Sequence, residues 1–140
     1  MFPKKIDQDF VKLLLKEEEG LKLEYKQKIS SQEKIAKTLS AMSNTVGGLI
    51  LIGISDQRKI MGIDPEEERF MVTAANDYFC VPKVSLQTYI VTMNLENPFE
   101  EEKNILIVKV HPTTGPKIFV KKKQGTTIAY CRIGNQNKII

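Results

Sequence analysis

The sequence predicts an α+β fold in which a mixed β-sheet packs against about three helices. In some segments apolar residues recur at the spacing of a helix, and in others they alternate with period two or form short continuous runs. Helix-like and strand-like segments are interleaved up to Val84, and from there to the end of the chain the patterns are those of strands. This order favours an α+β arrangement over an all-helical or all-β protein.

The best-defined unit is the segment from Ile35 to Gly62, where a helix is followed by a buried strand. Ser30 stands three residues before Glu33, a spacing at which two side chains can cap a helix start together. We therefore expect Ser30 to cap this helix. A single apolar stripe marks its buried face: Ile35, Leu39, Met42 and Val46.

We expect the helix to end in a turn formed by Asn44, Gly47 and Gly48. Glycine, and less often asparagine, adopts the left-handed backbone that turns a chain away from a helix end. The nearly continuous apolar run Leu49–Ile54 follows, and so short a run after two glycines predicts a central strand. The three turn residues are assigned a structural role, and Ile60 to Gly62 is interpreted as a return strand.

The remaining elements follow the same patterns. Asp7 is a predicted N-cap for a first helix, and Asp64 followed by Pro65 begins a third. The apolar face of that third helix is predicted to consist of Phe70, Met71, Ala74, Ala75 and Tyr78. Further strands are expected at 21–26, 84–95, 105–110, 118–120 and 128–133, with a loop at Asn97, Pro98 and Glu100 to Glu102.

Length and composition are those of one globular domain spanning residues 1–140. No apolar run approaches the ~20 residues needed to cross a bilayer, and no signal-peptide core follows the basic N-terminus. We therefore expect a cytoplasmic protein without a membrane partner. Two cysteines and one histidine are too few for a disulfide framework or a structural zinc site.

The charge favours a polyanionic partner, DNA or RNA, because the net charge is +4 and the pI is about 9.0. Basic residues that would contact phosphates largely without sequence readout are Lys26, Lys28, Arg58, Lys59, Lys121, Lys122, Lys123 and Arg132. The alternative for each of them is an ordinary solvated surface position. A P-loop motif is missing, and His111 next to a proline is a weak basis for a hydrolase.

Three carboxylates are candidates for chemistry: Glu19, Glu24 and Asp56. Glu24 lies on the charged face of the alternating strand 21–26, and if that strand lies beside 49–54, Glu24 and Asp56 converge at one sheet edge. Converging carboxylates repel one another and are best neutralised by Mg²⁺ or Mn²⁺, which beside lysines is an arrangement for cleaving phosphodiesters. The alternative is three separate surface acids, with Glu24 in an exposed ion pair.

Several motifs together resemble the Schlafen AlbA-like domain family, which is described as DNA-binding. Glu24-Tyr25-Lys26 is similar to its E-[FY]-K strand, and Asn44-Thr45-Val46-Gly47-Gly48 to its N-T-x-G-G turn. Gly53 to Asp56 is similar to its G-V-x-D strand end, and Tyr130 to Gly134 to its closing Y-x-R-x-G strand. The matches span roughly residues 19 to 134.

The resemblance implies a nucleic-acid-binding domain, a DNA-binding transcriptional regulator that needs no cofactor for binding. Animal relatives include metal-dependent ribonucleases acting on structured RNA, and their acidic site resembles Glu19, Glu24 and Asp56. An endoribonuclease using Mg²⁺ or Mn²⁺ is therefore the alternative, and a protein-interaction or dimerisation module is a third. Because two lobes form a clamp in those nucleases, the resemblance also implies a homodimer.

Overall fold

Three helices and eight strands make up the part of the chain that the computed structural model describes, residues 3–94, 99 and 101–140. In chain order they are α1 (Gln8–Leu14), β1 (Leu23–Lys26), α2 (Gln32–Ser43), β2 (Gly48–Ile52), α3 (Pro65–Phe79), β3 (Cys80–Val81), β4 (Leu86–Met93), β5 (Lys103–Val110), β6 (Phe119–Lys121), β7 (Thr127–Ile133) and β8 (Gln136–Ile139). The predicted α+β class is confirmed. No helix in these residues has the length and hydrophobicity to span a bilayer.

The strands form two four-stranded sheets. The first has the order β1-β2-β5-β4, with β1 parallel to β2 and the other neighbours antiparallel, so it is mixed as predicted. The second has the order β3-β6-β7-β8 and is antiparallel throughout. Strands β1 and β2 lie side by side, which was the condition for Glu24 and Asp56 to converge, with Glu24 opposite Ile50. The sequence pattern did not predict the division into two sheets, nor the strands β3 and β8.

Helix α2 lies between the two sheets and is buried over most of its length. Ile35, Leu39 and Met42 belong to one core cluster with apolar residues of both sheets. Helix α1 covers the opposite face of the first sheet, where Val11 packs in a second cluster. Strand β1 therefore has Leu23 and Tyr25 on the α1 side and its charged residues on the α2 side.

Two of the three predicted helix caps are confirmed. Asp7 Oδ1 accepts a hydrogen bond from the amide of Phe10 at 3.1 Å, and Asp64 caps α3. The cap predicted for α2 at Ser30 is wrong by one residue. Ser31 is the N-cap, because its Oγ is the one that reaches the amide of Lys34, at 3.2 Å.

Some predicted apolar and strand positions are also wrong. Val46 lies beyond the end of α2 and is 45% exposed, and in α3 Phe70 and Tyr78 are 65% and 71% exposed. The segment Ile60 to Gly62 forms one isolated bridge, between Ile54 and Ile60, instead of a strand. Of the predicted loop, Asn97, Pro98 and Glu100 lie outside the described residues.

Buried hydrogen bonds explain the orientation of α3. Glu68 is buried and accepts the amide of Ile29 at 2.7 Å. Asn76 is buried as well, and its side chain bonds both the N–H and the C=O of Val84 at 2.8 Å. These two side chains supply hydrogen-bond partners that the backbone groups of Ile29 and Val84 would otherwise lack. The face of α3 that bears Glu68 and Asn76 therefore turns towards the interior.

The turn after α2 holds the second sheet in place. Asn44 Nδ2 donates to the carbonyl oxygens of Ile118 and Tyr130, both at 2.9 Å, and Asn44 Oδ1 accepts the amide of Ile118 at 2.8 Å. One side chain at the end of α2 thus joins the loop before β6 to β7.

Gly47 and Gly48 allow the close approach of this turn to the first sheet. A Cβ at Gly47, where φ is +75°, would lie 2.6 Å from the carbonyl oxygen of Val110. A Cβ at Gly48 would lie 2.7 Å from the carbonyl oxygen of Lys22. Only glycine fits at either position without movement of the backbone.

We predict that Asn44→Ala lowers the free energy of unfolding by about 2–4 kcal/mol, since it removes three short hydrogen bonds and leaves buried backbone groups unpaired. Urea denaturation followed by circular dichroism measures this. Gln124→Ala, at the exposed tip of the β6–β7 hairpin, is the control and should change stability by less than about 0.5 kcal/mol. Equal effects of the two substitutions would contradict the role of Asn44.

Candidate nucleic-acid interface

A buried ion pair joins the outer strand of the first sheet to the second sheet. Arg132 in β7 has a fully buried side chain, and its Nη1 donates to Glu24 Oε1 at 2.7 Å. Nη1 also donates to Asn137 Oδ1 at 2.9 Å, and Nε and Nη2 donate to the carbonyl oxygens of Gly20 and Leu23 at 3.1–3.5 Å. All five N–H donors of the guanidinium therefore have an acceptor.

The second carboxylate oxygen of Glu24 extends this network to α2. Glu24 Oε2 lies 3.1 Å from Lys26 Nζ and accepts a 3.5 Å hydrogen bond from Thr38 Oγ1. Thr38 Oγ1 in turn accepts from Asn137 Nδ2 at 3.0 Å. Elements far apart in sequence, β1, α2, β7 and β8, thus meet around one carboxylate.

Two predictions about this pair are corrected by its burial. Glu24 was expected on an exposed strand face, but it is 8% exposed, because the second sheet covers that face. Arg132 was expected to contact phosphates, but no part of its side chain is exposed and its donors are already bonded. Arg132 therefore does not belong to a surface that binds phosphates.

Glu19 and Asp56 lie at the same end of β1 and share one cavity. Glu19 Oε2 accepts the amide of Tyr25 at 3.0 Å, which gives this outward N–H of β1 a partner. Glu19 and Asp56 line a cavity of about 290 Å³ together with Glu18 and Arg58, which we call the carboxylate cavity.

The three predicted acids do not form a metal site. In the described part of the chain, no three His, Cys, Asp or Glu side chains are placed to hold one metal ion. Glu24 is instead neutralised by Arg132 and Lys26. The residues present do not fit an Mg²⁺ or Mn²⁺ ion held by Glu19, Glu24 and Asp56, because a guanidinium already provides the positive charge that Glu24 requires.

One group of lysines, some exposed and some half-buried, lies around the first half of α2. Lys26, Lys28 and Lys34 line a small cavity at the N-terminal end of this helix, beside Ser30 and Ser31. Lys37 follows Lys34 after one helical turn, on the same side of the helix.

The β6–β7 hairpin continues this basic surface. Lys37 Nζ and Lys122 Nζ lie 5.3 and 5.4 Å from the centre of the Tyr130 ring, within the range of a cation–π contact. Lys122 and Lys123 line a groove that also contains Glu33 of the first turn of α2. We call the following set the α2 lysine surface: Lys26, Lys28, Lys34, Lys37, Lys122 and Lys123.

The other predicted cations have different positions. Arg58 lines the carboxylate cavity near Glu19 and Asp56. Lys59 is exposed in the turn after β2, and Lys121 is exposed at the end of β6, directly before Lys122. Lys34 and Lys37 were missed from the sequence. The only sign of them in the sequence is their position: Lys34 directly precedes Ile35 and Lys37 lies between Ile35 and Leu39, on the polar side of the predicted helix.

Tyr25 lies beneath the carboxylate cavity on the α1 side of β1. Its hydroxyl oxygen lies 2.5 and 2.7 Å from the carbonyl oxygens of Leu14 and Glu17, and its single hydrogen is donated to one of them. Burial raises the pKa of Tyr25 above its ordinary value of 10.0, Arg58 opposes this change, and the carboxylates of Glu17 and Glu19 add to it.

Comparison with known proteins identifies a matching family and shows similarity to solved structures. Residues 19–140 match the family described as Schlafen, AlbA_2. The chain is similar to the crystal structure of the DIP2311 protein from Corynebacterium diphtheriae, with 14% sequence identity and a TM-score of 0.52. That match covers 86% of this chain and 22% of the other, and at this identity it shows the fold alone. A search of curated proteins gives no match.

We predict that Glu24→Gln lowers the free energy of unfolding by about 3–5 kcal/mol, because it leaves the buried guanidinium of Arg132 without its counter-charge. The control is Glu66→Gln in the exposed pair with Arg69, which should cost less than about 1 kcal/mol. Urea denaturation at neutral pH distinguishes the two. The interpretation fails if Glu24→Gln costs no more than Glu66→Gln.

We predict that the raised pKa of Tyr25 makes the free energy of unfolding fall at alkaline pH. The unfolded chain ionises this hydroxyl near its ordinary pKa of 10.0, whereas the folded protein keeps the proton to a higher pH. The stabilisation is therefore complete below that value and is lost as pH rises from it through the folded pKa. We expect Tyr25→Phe to lose less stability than wild type over this range in urea titrations. Tyr78→Phe, at an exposed tyrosine, should behave like wild type.

Proposed function

Because the chain belongs to the Schlafen, AlbA_2 family, we propose that it binds nucleic acid by contacting phosphates through the α2 lysine surface. The family relation supports a nucleic-acid-related role. The single observation that carries the proposal is the continuous row of lysines that begins at the start of α2 and ends at the β6–β7 hairpin.

The start of α2 is the position best suited to a phosphate. The N-terminus of a helix carries a partial positive charge, and the 12 residues of α2 give it a full dipole. Lys26, Lys28 and Lys34 surround this end and add point charges. The nearest buried acid, Glu24, is neutralised by Arg132 and does not repel a phosphate strongly.

The basic side chains of this surface are all lysines, which supports binding of nucleic acid without readout of its base sequence. Lysine is a flexible point charge suited to phosphates, whereas reading a base edge generally uses the planar fork of arginine. The three arginines are committed elsewhere: Arg132 is buried, Arg69 bonds Thr88 and Glu66, and Arg58 faces carboxylates. We propose that the surface supplies general affinity for DNA or RNA. The role of transcriptional regulator that the resemblance implies requires, in addition, discrimination between sequences.

Metal-dependent cleavage of RNA has less support than binding. That activity needs Glu19, Glu24 and Asp56 as free carboxylates around one ion, whereas Glu24 has both oxygens engaged by Arg132, Lys26 and Thr38. Binding requires only the exposed lysines, and we therefore propose no reaction for this chain.

The proposal predicts how affinity depends on salt. The triple variant Lys28→Gln/Lys34→Gln/Lys122→Gln should bind more weakly, and the slope of log K against log salt should become shallower by about 0.9 per lost contact on duplex DNA, or about 0.7 on single strands. Fluorescence anisotropy with labelled DNA and structured RNA, titrated between about 50 and 200 mM salt, measures this slope.

The matched control is Lys4→Gln/Lys12→Gln/Lys16→Gln, which removes the same charge from exposed positions around α1. Helix α1 covers the other face of the first sheet, so this variant should keep the wild-type slope. Two results would refute the proposal: no binding of either nucleic acid at low salt, or equal slopes for the two triple variants. Tighter binding to one duplex sequence than to others would support the role of transcriptional regulator as well.

A further inference from the structure

Strand β4 is one of the two edge strands of the first sheet, and no strand of the described residues pairs with its outer edge. It is eight residues long, Leu86–Met93, and pairs along one side only, with β5. None of its residues is charged, and none is proline or glycine. Natural proteins ordinarily protect an edge strand with such residues, with a bulge or with a covering segment, because an open edge can pair with another chain.

Hydrogen bonds at the two ends of β4 show which backbone groups face outward. The amide of His111 donates to the carbonyl oxygen of Ser85, so Ser85 and every second residue after it bond towards β5. The outward row is then Leu86, Thr88, Ile90 and Thr92, and the next member is Asn94. Asn94 fits this parity, because its amide donates to Gln8 Oε1 at 3.1 Å. In the described part of the chain, Gln8 is the only partner of this row.

The opposite edge of the same sheet is partly bonded by its own chain. At β1, the outward amide of Tyr25 donates to Glu19, and the outward carbonyl oxygen of Leu23 accepts from Gly20 and Arg132. Along the longer edge at β4, the described residues provide only the bond from Asn94 to Gln8.

We propose that β4 pairs antiparallel with β4 of a second copy of this chain, about a two-fold axis at Tyr89. This register keeps the outward parity and centres the overlap on the strand: Leu86 bonds with the partner's Thr92, and Thr88 with the partner's Ile90. Two four-stranded sheets then become one continuous sheet across the dimer. This inference does not depend on the proposed nucleic-acid binding.

A second copy is the favoured occupant for two reasons. The strand is uncharged, so pairing it with itself places no like charges across the two-fold axis. Antiparallel pairing also brings Lys83, whose ion pair with Asp77 at 3.2 Å is exposed, towards the end of the partner that bears exposed Glu101 and Glu102, charges of the opposite sign.

The test is the mass in solution of variants at Ile90, whose amide faces outward and whose side chain is 37% exposed. Wild type should sediment at twice the 15.9 kDa of the chain at micromolar concentration. Ile90→Pro removes an outward N–H without removing a bond to β5, and Ile90→Lys adds like charges. Both should weaken the dimer at least tenfold while the circular dichroism spectrum stays that of a folded protein.

Ile133→Lys is the matched control, the same substitution at a residue that is 61% exposed on the second sheet. It should leave the dimer unchanged. The proposal is overturned if wild type is a monomer at all concentrations up to ~100 μM, which would leave the edge to a different chain. It is also overturned if the Ile90 variants stay dimeric, or if Ile133→Lys dissociates the dimer as strongly, which would place the interface at the second sheet.

Discussion

The buried ion pair between Glu24 and Arg132 is the interaction on which the arrangement of the two sheets depends. Removing either partner would leave a charge buried without compensation, a cost far larger than that of breaking an exposed pair. The pair is also saturated, since the guanidinium bonds Gly20, Leu23 and Asn137 as well as Glu24. The second sheet therefore has one favourable position against β1, and a slip of β7 would break several bonds at once.

Directional bonds from the turn after α2 fix the same sheet as well. Asn44 bonds Ile118 and Tyr130, and Thr45 Oγ1 accepts the amide of Arg132 at 2.9 Å. Apolar contacts between α2 and the sheets supply most of the driving force but little directional information. These polar contacts set the register. Their functional consequence is indirect: they hold Tyr130 and the hairpin against α2, where Lys37 and Lys122 meet over one ring.

Local elements could be predicted from the sequence because their signals are local. The caps at Asp7 and Asp64 follow from short patterns. The burial of Glu24 could not be predicted this way, because its partner is 108 residues away and strand alternation reports two faces without saying what covers them. The same limit applies to the candidate site. Lys26 and Lys28 were found as a basic cluster, whereas Lys34 and Lys37 emerged only when α2 was seen to bring them beside the hairpin.

The most direct test of the central claim is the coupling free energy between residues 24 and 132. It is obtained by urea denaturation of wild type, Glu24→Gln, Arg132→Met and the double variant. If the pair holds the sheets together, the double variant should be more stable than the sum of the single effects predicts by about 3 kcal/mol or more, because the second substitution removes the charge that the first leaves unpaired. A coupling free energy near zero would contradict this account.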